Sequence, residues 1–166
     1  AGFFEEQAGR ELGDEERVQA LRLLEMQRHA LLMYTSCGWF FDELSGIETV
    51  QVMQYAARCL QLAEEVTGES LEEQFLARLE KAPSNLAAHP DGRAVYQRFV
   101  QPAKIGLSDV AAHYALSTIF EEFAEETGIY CYRVTRHQLQ HWDAGRVRLV
   151  VGRARLASAI TTQAED

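Results

Sequence analysis

The sequence predicts a mainly α fold: a bundle of about five helices over residues 1–128, followed by a β-hairpin over 129–166. Three observations carry that prediction. Apolar residues recur every three or four positions through most of the first 128 residues. The period changes after Gly128, where Ile129-Tyr130-Cys131-Tyr132-Arg133-Val134-Thr135 is rich in aromatic and β-branched side chains. The chain has 166 residues, 47% hydrophobic and 25% charged, which suits one domain with a real core.

The elements follow in order. From Asp14 to Tyr34 the pattern is helical: Glu15 and Glu16 sit at the positive end of the helix dipole, and Val18, Leu21, Leu24, Leu31 and Leu32 recur on one side. The stretch Ala30-Leu31-Leu32-Met33-Tyr34 is apolar all round and is expected to be buried on more than one face. Thr35-Ser36-Cys37-Gly38 ends the helix, and Trp39-Phe40-Phe41-Asp42-Glu43-Leu44 reads as a loop. A second helix opens at Ser45, with Glu48 at capping-box spacing. It runs through Ile47, Val50, Met53, Ala57 and Leu60 to Val66 and stops at Gly68.

Ser70 and Glu73 repeat the capping-box spacing ahead of a shorter helix ending near Ala82. Two prolines make residues 82–92 a loop. Asp91 or Gly92 starts a short helix through Tyr96 and Phe99, closed by Pro102. Ser108 caps the last helix, whose stripe is Ala112, Leu116, Ile119, Phe120 and Phe123, and Gly128 ends the helical region. The turn Asp143-Ala144-Gly145 joins the strands of the hairpin, the second of which is bulged at Gly152. A hairpin alone is marginal, so this one either packs on the helices or begins a sheet continued elsewhere.

Composition and motifs exclude several functions. A formal net charge of −9 argues against nucleic acid, which needs clustered cations to displace counterions. Arg146, Arg148, Arg153 and Arg155 are a local exception, but in a strand they simply mark a solvated side. No apolar run approaches the roughly 20 residues of a membrane span. The N-terminus lacks the pattern of a signal peptide, and the missing initiator Met suggests a processed chain or an excised fragment of a cytoplasmic protein. Cys37, Cys59 and Cys131 form no CxxC pair and read as reduced, buried thiols. His137 and His141 have i,i+4 spacing but fall where strand is expected, too far apart for one ion. No metal or cofactor is expected, and no G-x-S-x-G elbow, phosphate loop or H-E-x-x-H is present.

Two features stand out as candidate sites. Trp39-Phe40-Phe41 places three aromatics side by side in a loop; consecutive side chains diverge, so at least one is expected at the surface. Aromatics beside the carboxylates of Asp42 and Glu43 have the composition of a carbohydrate cleft. A loop plugged into the core, with the carboxylates as local caps, is the plainer alternative. As a glycosidase acid/base pair the two carboxylates are poorly placed, because adjacent residues cannot flank one bond. The second feature is Glu25, Arg28 and His29. Their spacing lets them satisfy one another, and the alternative is that this side lines a cleft.

The run Leu24-Glu25-Met26-Gln27-Arg28-His29-Ala30-Leu31-Leu32-Met33-Tyr34-Thr35-Ser36-Cys37-Gly38-Trp39-Phe40-Phe41-Asp42-Glu43-Leu44-Ser45-Gly46-Ile47-Glu48 is long and distinctive. It resembles the helical domain of unknown function C-terminal to the catalytic barrel in bacterial family 57 glycoside hydrolase-like proteins, the α-amylase/α-mannosidase type. The likeness continues through Gln54-Tyr55-Ala56-Ala57-Arg58, Pro83-Ser84-Asn85, Val100-Gln101-Pro102, Ala112-His113-Tyr114-Ala115 and Gly152-Arg153-Ala154. The resemblance implies an accessory role and no catalytic residue, since the catalytic Glu and Asp of such proteins belong to the barrel. By that analogy Trp39, Asp42 and Glu43, with Arg28, His29 and Tyr34, are the substrate-binding candidates. The implied partners are the catalytic barrel of the same polypeptide, a carbohydrate, and a second copy of the fragment. The alternative is a non-catalytic protein–protein interaction or self-association domain.

Overall fold

The computed structural model describes residues 2–166 and corrects the expected fold class. The chain is mixed α/β, not a mainly α bundle with a lone hairpin, because it contains a four-stranded antiparallel sheet whose strands pair in sequence order. It forms two compact units: Ala1–Val18 with Ile105–Asp166, and Gln19–Lys104.

Helix α1 (Phe3–Ala8) ends at Gly9 and helix α2 runs from Asp14 to Leu32, close to the predicted bounds. Burial of its apolar second half is not observed. No residue of α2 is buried, and Leu31 and Tyr34 are largely exposed. The short helix α3 (Cys37–Phe40) replaces the predicted loop. Helix α4 (Ile47–Thr67) starts two residues later than expected, with Gly46 at its N-cap and no side-chain cap bond. Ser45 is not the cap, because the helix begins at Ile47 and Gly46 occupies the N-cap position; the Ser45 amide donates to the Glu43 carboxylate. Gly68 ends α4 as predicted, in the left-handed region at φ 75°.

Helix α5 (Glu72–Leu79) likewise begins without the Ser70 cap, whereas Asp91 does cap α6 (Gly92–Val95), accepting from the Ala94 amide at 2.9 Å. A π-helical turn (Tyr96–Val100) and a 3-10 turn (Gln101–Ala103) complete this unit. Its core joins Met53 and Ala57 of α4, Leu76 of α5, and Val95, Tyr96 and Val100. The buried Tyr96 hydroxyl donates to Glu72 at 2.6 Å, and Lys104 neutralises the same carboxylate at 2.8 Å. Burial and the Glu72 charge together push the Tyr96 hydroxyl well above its ordinary pKa.

In the other unit helix α7 (Leu107–Ser117) starts at Gly106, not Ser108, and the Asp109 carboxylate accepts from the Gly106 amide at 2.8 Å. The strands are β1 (Glu126–Ile129), β2 (Tyr132–Ala144), β3 (Val147–Ser158) and β4 (Ala164–Glu165). Leu107, Val110 and Tyr114 of α7 pack on Ile129, Val134 and Leu156 of the sheet. The predicted stripe is therefore wrong in phase. Leu116 and Phe120 are exposed, and the helix ends at Ser117, before Phe120.

The β2–β3 hairpin is present as expected, but Asp143 and Ala144 are still paired strand residues, so of the expected turn only Gly145, in the left-handed region, lies in it; Ile129, expected in the first hairpin strand, belongs to β1. The bulge does not fall at Gly152. The register shifts between Arg136 and Gln138, which leaves His137 as the extra residue of β2. Gly152 lies across from this irregularity, and a Cβ there would come within 2.5 Å of the Gln138 carbonyl oxygen. The glycine thus permits close backbone approach on the strand opposite the bulge.

Candidate functional site

The residues 37–43 form an aromatic turn held from two directions. From α4, Thr49 Oγ1 donates to the Gly38 carbonyl at 3.0 Å, and a Cβ at Gly38 would meet Val52 Cγ2 at 2.6 Å. Only a residue without a side chain lets α3 lie this close to α4. From the other end the Glu43 carboxylate is a clamp. Oε1 accepts from the Ser45 amide and from Ser84 Oγ, both at 2.9 Å, and Oε2 accepts from the Asn85 amide at 2.8 Å. Asn85 Nδ2 returns a bond to the Asp42 carbonyl at 2.7 Å. The Ser45 amide first, then the Asn85 amide and the Ser84 hydroxyl, hold the Glu43 carboxyl down at about 2 against the opposing effect of desolvation.

Fixed this way, the turn presents its rings outward. Trp39 is 71% exposed, Phe40 73% and Phe41 52%. The Phe40 and Phe41 rings meet edge to face at 5.1 Å. Sequence reasoning left open whether the loop plugs the core or faces out; all three aromatics face out, and Glu43 caps no helix but braces the turn against Ser45, Ser84 and Asn85. The Asp42 carboxylate makes no hydrogen bond among the described residues, so of the two acids it is the one left to meet a ligand. Glu43 has its acceptor positions already occupied.

Arg28 and His29 belong to a second network. Two guanidinium nitrogens of Arg28 engage Glu25, Nε reaching Oε2 at 2.8 Å and Nη2 reaching Oε1. His29 Nε2 lies 3.2 Å from the same Oε1, and its ring packs at 5.9 Å from Tyr55 of α4. Burial first, and then the neighbouring Arg28 charge, push His29 below its ordinary pKa, with Glu25 opposing them. The Arg28 hydrogen bonds hold Glu25 low despite its burial. His29 Nδ1 is buried with no partner among the described residues. Apart from His29 Nδ1 the three residues pair with one another, and no hydrogen bond or ion pair joins them to the 39–43 turn among the described residues. Tyr34 is 79% exposed beyond the end of α2.

Ser84 and Asn85 are the site residues that sequence reasoning missed as such. Their bonds to residues 42 and 43 span about forty positions, and no local pattern announces them. The three cysteines are free, but Cys37 is exposed and the other two only partly covered, contrary to the buried thiols expected. Among the described residues no group of three or more His, Cys, Asp or Glu is arranged to hold a metal ion, and no helix is long and apolar enough to cross a membrane.

The fold and this surface define a mixed α/β chain whose most conspicuous feature is a braced, outward-facing aromatic turn. It belongs to the family described as Domain of unknown function (DUF3536), whose model matches residues 1–166. No curated protein and no solved structure matches the chain.

Proposed function

We propose that this chain is an accessory, non-catalytic part of a cytoplasmic, carbohydrate-active hydrolase of the family 57 type. It buttresses the catalytic barrel of the same polypeptide and contacts an α-glucan through the Trp39–Glu43 turn. The observation that carries the reading is the exposure of three adjacent rings on a turn held rigid at both ends. Exposed rings normally cost free energy in water, and a rigid ring loses little further entropy when a flat partner covers it. Trp39 supplies the stacking face for the C–H side of a sugar, Asp42 accepts from its hydroxyls, and Glu43 keeps both in place. Tyr34 offers a further exposed ring, and Arg28 and His29 would need to leave Glu25 before they could bind sugar.

The second reading is a protein–protein or self-association surface. Its supporting observation is that Leu31, Tyr34 and Ile47 are exposed in addition to the three rings. One pair of measurements separates the readings. Maltoheptaose titrated against the parent protein should bind about tenfold more weakly after Trp39→Ala, the scale of one lost stacking contact. Unchanged affinity in a folded variant removes the sugar contact. Light scattering across a concentration series of the 166-residue chain then decides the second reading, which requires association that Trp39→Ala weakens.

A further inference from the structure

The β2–β3 hairpin reaches well past the short strands that flank it. β4 pairs only with Leu156 and Ala157 of β3. Ser158 N donates to Gln163 O on that side at 2.8 Å, and Ala159 N donates to Cys131 O on the other, also at 2.8 Å. Successive strand residues turn their backbone groups to opposite edges. Counting back by twos, Leu156, Ala154, Gly152, Val150 and Arg148 face the β4 side, and before Leu156 no backbone bond meets them there among the described residues. The register irregularity lies in β2, so β3 is an unbulged edge, and it contains no proline.

Such an edge is a template for another strand. The open stretch from Val147 to Arg153 is centred on Val150, and its sequence says which strand fits. Val147, Leu149 and Val151 are each more than half exposed, and Trp142 pairs across from Leu149. Laid antiparallel on itself about Val150, the stretch sets Val150 opposite Val150, Leu149 opposite Val151, Arg148 opposite Gly152 and Val147 opposite Arg153. No arginine faces another, and the apolar residues meet at the centre. The residues whose backbone faces the edge, Arg148, Val150 and Gly152, fall opposite one another, as hydrogen-bonded pairs must. An axis at Arg148 or Arg153 would oppose arginine to arginine. The Arg148 guanidinium is drawn back onto its own chain, by Asp143 and by the Ile119 carbonyl, both at 2.7 Å.

We infer that β3 is an interface through which two copies of this chain join, antiparallel and edge to edge about Val150, into one continuous sheet. The contact closes on itself, because a two-fold pairing uses the same strand of both copies and leaves neither with an open β3 edge. It stands apart from the reading of the Trp39–Glu43 turn, so Trp39→Ala leaves it unchanged.

Sedimentation velocity across a concentration series should show a reversible monomer–dimer equilibrium. Amide exchange at low and high concentration locates the contact. The amides of Arg148, Val150 and Gly152 should slow as the dimer forms, while those of Leu149 and Val151, which already face β2, should not change. Val150→Pro removes an N–H that makes no bond within the chain and should abolish the dimer with far-UV circular dichroism unchanged. If that variant does not fold, the exposed position 147 decides. Val147→Arg sets arginine opposite Arg153 of the other copy and should raise the dissociation constant about threefold, whereas Val147→Glu should lower it by a similar factor. Net charge alone predicts the reverse order, because the chain carries −9. A chain still monomeric at about 1 mM, a dimer that survives in folded Val150→Pro, a dimer lost in Trp39→Ala, or Val147 variants ordered by net charge would each overturn the assignment.

Discussion

Replacing Gly38 with alanine puts a methyl group into space that Val52 already occupies. The added Cβ would lie 2.6 Å from Val52 Cγ2, 3.0 Å from its Cβ and 3.2 Å from Cγ1. Separations below about 3.5 Å between carbons are repulsive, so α3 must back away from α4. Overpacking of this kind costs ~1–3 kcal/mol. The retreat also stretches the bond from Thr49 to the Gly38 carbonyl, a further ~0.5–1.5 kcal/mol. Against this, removing a glycine from the unfolded chain stabilises by ~0.4–1 kcal/mol. The balance is a net loss of ~2 kcal/mol, or ~4–8 °C in Tm for a chain of this length. Differential scanning calorimetry of four proteins measures it: native, Gly38→Ala, Val52→Ala and the double variant. Trimming Val52 removes both γ-carbon contacts, the shortest among them, so alanine at 38 should cost at least ~0.5 kcal/mol less in that background. A Gly38→Ala chain that melts with the native protein, or equal costs in both backgrounds, refutes the steric argument and with it the claim that this glycine sets the turn against α4.

Further outcomes follow from other contacts. Gly152→Ala directs its methyl at a backbone oxygen, Gln138 O at 2.5 Å, which cannot rotate away; the variant should lose more stability than Gly38→Ala and show faster amide exchange along β2 and β3. Glu43→Gln replaces an ionised acceptor of three hydrogen bonds, so the amides of Ser45 and Asn85 should exchange faster. Because the folded Glu43 carboxyl is held at about 2, its contribution is full above the ordinary carboxylate range and is lost only as pH falls towards 2, and Glu43→Gln should flatten stability over that acid window. His29 has the same sign for the opposite chemical reason. Its folded pKa lies below 6.5, so the unfolded chain takes up the proton first and stability declines as pH falls below that value. His29→Gln should remove that part of the slope in urea titrations at successive pH values, while Arg28, Glu25 and Arg58 remain in place.

Much of the helical framework was legible in the chain. α2 and α4 declare themselves through apolar spacing, Gly68 and Gly145 through the left-handed backbone they adopt, and Asp91 through its capping position. These are local properties, decided within one or two turns. The fold class was not legible. β1 is four residues with a glycine among them and β4 is two, so neither has the composition of a strand. They are strands because β2 and β3 offer free edges to pair with, which depends on residues distant in sequence. The two capping boxes failed because the helices begin later than the serines: Gly46 and Leu71, not Ser45 and Ser70, occupy the N-cap positions.

By itself the sequence determined the helix periodicity, the hairpin with Gly145 in its turn, the acidic character, and an aromatic run that could not all be buried. Which way those rings face was a tertiary decision. It depends on Gly38 lying against Val52, and on a carboxylate reaching across some forty residues to Ser84 and Asn85. Periodicity is written in neighbouring residues. Exposure, pairing and empty space are relations between distant ones, and only the folded chain fixes them.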